Sequence, residues 1–156
     1  MADNDLLPVT LATFQKLLVE SGLEAARIEE ERGCVTFDYA GQNSPLRMSV
    51  IAGKVQPDQD PWFARFLTYS LTFEPIKAGI GTARLHEWLN EKNADVFFGR
   101  FYHDEATDTV VFEVSIPCAA GVNPVDFRRM TEIALLFVDR VHSELKTLAA
   151  PVEVDG

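Results

Sequence analysis

Few residues in this sequence have the type and spacing to do chemistry. His86, His103 and His142 are its three histidines, with neither an HxH nor an HxxxH pair among them. A zinc-type centre is usually seeded by such a local pair, so no metal site is read and the histidines are expected at the surface. Cys34 and Cys118 lie far apart and belong to no CxxC or CxxH spacing. That pattern suits reduced thiols better than a disulfide framework or a metal clip. Cys118 follows Pro117 in a loop leading to a helix start, where a thiol can be activated. No base lies beside it in sequence, and a small buried or half-buried residue is expected there. Gly79-Ile80-Gly81-Thr82 precedes a helix, yet the rest of a GxGxxG or GxxxxGK phosphate loop is absent. Glu29-Glu30-Glu31, Asp58-Gln59-Asp60 and Asp104-Glu105 do not complete a calcium loop and read as solvated faces and turns. The expectation is no catalytic residue, no metal and no cofactor.

The composition narrows the partners. Fourteen Lys and Arg against twenty-four Asp and Glu give a formal charge of −10. That field repels phosphate backbones and anionic lipid surfaces, so neither nucleic acid nor membrane is an expected partner. No charged segment precedes an apolar one at the start, and no apolar run approaches the roughly 20 residues that span a bilayer. A cytoplasmic location is the resulting expectation. With 47% hydrophobic and 24% charged residues in a 156-residue chain, the sequence can fill one core. A single domain over 10–148 is expected, with frayed ends at 1–9 and 149–156.

The elements that would position any site follow from periodicity. Thr10 can cap a helix whose stripe is Leu11, Phe14, Leu17 and Leu18, with Gly22 to stop it. The period then changes to two. A hairpin at Arg32-Gly33 leads into Cys34–Tyr39, where Val35, Phe37 and Tyr39 share a face. After a turn over 41–45, Leu46, Met48 and Val50 share a face of the next strand. Phe66–Phe73 alternates again, Leu67, Tyr69, Leu71 and Phe73 opposite Thr68, Ser70 and Thr72. A second helix begins at Thr82 with the stripe Leu85, Trp88 and Leu89. Val96–Tyr102 and Thr109–Ile116 are read as strands around a polar turn, His103–Asp108. Asn123-Pro124 starts a long last helix reaching about Leu148. The prediction is α+β: an antiparallel sheet of about five to six strands with three helices, in the order α-β-β-β-β-α-β-β-α.

The segment LHEWLNEKNADVFFGRFYHDEATDTVVFEVSIPCAAGV, followed by a long helix, resembles the YbjN-type sensory-transduction-regulator family, whose fold is similar to that of type III secretion chaperones. The residues that carry the resemblance are Trp88 and Asn90 on a helix, Gly99-Arg100 in an aromatic strand, an Asp-rich hairpin turn, Ile116-Pro117, and Gly121-Val122 before the last helix. The resemblance implies a small acidic homodimer that binds proteins and brings no catalytic residues with it.

Two segments carry more apolar surface than one buried face requires. In Val96–Tyr102, Phe97 and Phe101 would form one row with Gly99, opposite Val96, Phe98, Arg100 and Tyr102. Ile133–Val138 (IALLFV) is apolar all round a helix. Phe97 and Phe101 are therefore expected at an interface, with Leu85, Trp88 and Leu89 as further interface candidates. The function expected is a non-enzymatic protein-binding module, a dimeric chaperone-like or regulatory protein with an unidentified protein partner. The alternative is a small-molecule binder or enzyme with a pocket between sheet and last helix, using Tyr69, Tyr102 or Cys118.

Overall fold

The computed structural model describes residues 5–149. Its elements run α1 (Leu11–Glu20), β1 (Arg27–Glu29), β2 (Cys34–Ala40), β3 (Pro45–Gly53), β4 (Phe63–Ser70), α2 (Thr82–Asp95), β5 (Arg100–Asp104), β6 (Thr109–Pro117) and α3 (Pro124–Ala149). This is the expected α+β order. The six strands form one antiparallel sheet arranged β1-β2-β3-β4-β6-β5. Local chemistry sets the boundaries. Thr10 Oγ1 accepts from Thr13 N–H at 3.2 Å, and Asn123 Oδ1 accepts from Val125 and Asp126 N–H at 2.9 and 3.1 Å. Gly33 at φ 63° closes the β1–β2 hairpin, a left-handed conformation that costs glycine little. Residues 1–4 and 150–156, within the expected frayed ends, lie outside the described residues. Fraying up to Val9 is not what the structure has, because Leu7 pairs with Val122 through two backbone hydrogen bonds of 2.9 and 2.7 Å.

All three helices cover one face of the sheet. Phe14 of α1 stacks on Phe127 of α3 at 5.3 Å, and Phe127 meets Phe66 of β4 at 5.1 Å. At the other end Trp88 of α2 meets Phe101 at 5.9 Å, and Phe101, Phe112 and Phe137 pack at 4.8 to 5.6 Å. Strand β4 spans 63–70 instead of 66–73 and turns its apolar row outward. Ala64, Phe66, Thr68 and Ser70 are buried, while Leu67 and Tyr69 lie on the uncovered face. The parity is set by Phe66 in the core, and Ser70 suits the inside because its hydroxyl is used. Ser70 Oγ lies 2.6 Å from Ser44 Oγ and accepts from Thr72 and Phe73 N–H.

The long helix is tied to the β2–β3 turn by two side chains, Asp139 and Lys146, whose Nζ donates to Asn43 O at 2.6 Å. Asp139, on the inner side of α3, accepts from Gln42 N–H (3.1 Å), Asn43 N–H (2.9 Å), Asn43 Nδ2 (3.1 Å) and Ser44 N–H (3.1 Å) in the β2–β3 turn. Its carboxylate lies so close to Gly41 that a Cβ there would collide with it. One turn on, buried His142 donates from Nδ1 to Val138 O at 2.9 Å. Burial pushes the His142 pKa down, only partly opposed by that hydrogen bond.

Asp139→Ala strands the N–H of buried Ser44 and removes the acceptor for Gln42 and Asn43, and is expected to cost about 2 kcal/mol, read from a lower urea midpoint. A loss below about 0.5 kcal/mol would mean that the turn holds itself. For His142 the folded pKa lies below the unfolded value of about 6.5. Its contribution to stability is therefore complete above that value and is lost as pH falls through and below it toward the folded pKa. Urea midpoints should decline from about pH 6.5 downward, and His142→Gln should flatten that limb. Equal slopes for the two proteins would exonerate the ring.

Candidate functional site

Among the described residues the three histidines and two cysteines lie apart from one another. His86 is exposed on α2 and His142 is inside α3. His103, far from being a turn residue, lies in β5 with its side chain largely covered, 2.7 Å from Asp108. Asp108 also accepts from Ile76 and Lys77 N–H at 3.2 and 3.0 Å. Burial alone would raise the Asp108 pKa, but the bonds from Lys77, His103 and Ile76 outweigh it and hold it below the usual range. The pair is a clamp between the β5–β6 hairpin and the loop before α2. Among the described residues no group of three or more His, Cys, Asp or Glu is placed to hold a metal ion.

The three polar residues considered for a small-molecule pocket do not converge. Tyr69 and Tyr102 line a cavity of about 160 Å³ on the outer face of the sheet. Cys118 lines a separate one of about 260 Å³ beside the start of α3. The space between sheet and α3 is filled by Phe66, Phe112 and Phe127. Cys118 Sγ donates to Ile116 O at 3.3 Å, and burial pushes its thiol pKa up.

Four of the five interface candidates are consumed by the core of one chain. Leu85, Trp88, Leu89 and Phe101 are buried, Phe101 at 2% exposure, whereas Phe97 is 97% exposed. The expected row of Phe97 and Phe101 does not exist, since β5 begins at Arg100 and Phe97 precedes it. Glycine at 99 is the physical reason. The chain passes so near β6 there that a Cβ would sit 2.6 Å from Glu113 O and the Phe112 ring. Strand alternation is lost, Phe98 turns in against Phe112 and Phe137 at 5.5 and 5.4 Å, and Phe97 is turned out.

The two apolar segments meet in the core through Phe98 and Phe137, and each leaves apolar side chains outside. Phe97 meets Phe98 edge-on at 5.8 Å, and Phe98 meets Phe137 of α3. One turn before Phe137, Ile133 is 46% exposed, and Leu136 beside it is 63% exposed. Exposed Arg129 and Arg140 flank them. The outer face of the sheet is different in kind. Glu113 lies 3.0 Å from Arg65 and 3.2 Å from Arg100, and Asp38 pairs with Arg47 through two contacts of 2.7 and 3.1 Å. Burial would raise Glu113, but Arg65 and Arg100 outweigh it and hold it below the usual carboxylate range. This face satisfies its own charges.

Sequence reasoning missed Asn93. Its Nδ2 donates to Phe101 O at 2.9 Å and its Oδ1 accepts from Phe101 N–H at 2.7 Å. The amide thus pairs with the free side of the edge strand β5, an arrangement with no local sequence pattern.

Fold and surface together define an α+β protein with helices on one sheet face and several large apolar side chains left exposed. Residues 70–146 match the family described as YbjN: Putative bacterial sensory transduction regulator. The matched stretch contains α2, β5, β6 and most of α3, and so Asn93, Phe97, Gly99, Ile133 and Leu136. It names this family and not the type III secretion chaperones. No curated protein matches the chain. No helix among the described residues is long and apolar enough to cross a membrane.

A buried thiol with a raised pKa should be alkylated far more slowly in the folded chain than in urea at neutral pH. Cys118→Ser should keep the fold at a cost of roughly 1 kcal/mol. Rapid modification of the folded chain at Cys118, mapped by mass spectrometry, would restore a reactive thiol.

Proposed function

We propose that this chain is a non-enzymatic protein-binding module, a homodimer of chaperone-like or regulatory kind that acts in the cytoplasm through one unit spanning residues 10–148. The observation that carries the reading is the exposure of three large apolar side chains, Phe97, Ile133 and Leu136. A phenylalanine left in water forgoes roughly 1.5–3 kcal/mol of burial, and here the core beneath it is already filled. A protein partner offers the matching apolar surface. Nucleic acid does not, given the net charge of −10. The partial match to a family described as a bacterial sensory transduction regulator supports the regulatory side of the reading.

The test pairs mass with partner retention. Light scattering of the purified protein is expected to give twice the chain mass. Phe97→Glu should leave circular dichroism and stability within about 0.5 kcal/mol of the parent, since that side chain touches little, yet lose proteins that co-purify with the parent from its own cells. A variant that keeps every partner would remove Phe97 from the functional surface.

A further inference from the structure

The outward side of α3 has a pattern of its own. Asp126, Arg129, Ile133, Leu136 and Arg140 are all exposed, and their spacing alternates three and four residues. That alternation keeps a line of side chains facing one neighbouring helix. The apolar pair sits at the middle of the line and the charges at its ends, whereas a helix face meant only for water is polar along its length. None of Asp126, Arg129 and Arg140 has an ion-pair partner among the described residues.

Charge selects both the occupant and its direction. Asp126 stands seven residues before Ile133 and Arg140 seven after it, about 10.5 Å each way along the axis. An identical helix laid antiparallel and centred on Ile133 therefore sets Asp126 against Arg140 of the second copy, twice. The same placement sets Met130 against Leu136 of the second copy. A parallel placement would stack Arg129 on Arg129 and Arg140 on Arg140, which repels. Two chains of −10 each also meet most easily where the net charge is least negative, and this line carries two arginines against one aspartate.

We propose that a second copy of this chain packs on α3 antiparallel and centred on Ile133. The proposal rests on the homodimer reading above and adds its surface and direction. Both native cysteines are buried, so Ile133→Cys supplies the accessible thiol for a cross-link across the two-fold axis. Sedimentation and non-reducing gels are measured on the parent, Ile133→Cys, Asp126→Arg, Arg140→Asp and the double reversal, with circular dichroism confirming each fold. The parent is expected to be a dimer and Ile133→Cys to form a disulfide-linked dimer on mild oxidation. Each single reversal should weaken association by about tenfold or more, and the double reversal should restore it. A parent dimer that neither cross-links at 133 nor responds to the reversals overturns the α3 geometry and leaves the homodimer reading standing. Cross-linking without rescue by the double reversal overturns the antiparallel direction. A parent that stays monomeric at all concentrations overturns both.

Discussion

The rotation of α3 about its own axis decides which side chains of this protein meet water, and a buried carboxylate fixes that rotation. Asp139 is held by four donors from the turn between β2 and β3. Burying an ionised carboxylate is costly unless such donors satisfy it, and hydrogen bonds to a charged group contribute about 1.5–3 kcal/mol each. Turning the helix by even one position would forfeit all of them. With Asp139 and His142 directed inward, Ile133, Leu136 and Arg140 have no freedom to turn away from solvent. Gly41 completes the lock, because any side chain there would displace the carboxylate.

The sheet solves its two faces by different physics. The inner face is closed by aromatic packing under three helices, from Phe14 at one end to Trp88 at the other. The outer face has no helix over it and relies on cross-strand pairs. Glu113 between Arg65 and Arg100, and Asp38 on Arg47, pair opposite charges on neighbouring strands. Of the nine exposed large apolar side chains among the described residues, Ile133 and Leu136 lie on α3 and Phe97 just before β5, none of these three on this outer face.

Much of the fold was legible because local rules acted alone. Thr10, Asn123-Pro124 and Gly33 signal helix starts and a hairpin by chemistry within a few residues, and the structure places each where expected. Alternation found β2 and β3. It misled at β4, where Leu67 and Tyr69 face out because Phe66 and Ser70 had tertiary uses that no local period records. It misled again before β5, where the close passage at Gly99 broke the alternation and separated Phe97 from Phe101. Apolar excess marked two segments that leave apolar side chains exposed, but which of their residues stays outside depended on Asp139 and Gly99, whose partners lie far away in sequence.

Asn93 has a consequence for how the molecule avoids runaway assembly. An edge strand with unsatisfied backbone groups is a template on which further strands can add without limit. Here the carboxamide of Asn93 occupies the outward N–H and C=O of Phe101 in the middle of β5, standing in for the peptide group of an incoming strand. At the far edge β1 offers only three residues before a 3-10 turn bends the chain away. Each border of the sheet therefore offers an incoming strand only a short run of free backbone groups, interrupted at one edge by a side-chain amide and cut to three residues at the other.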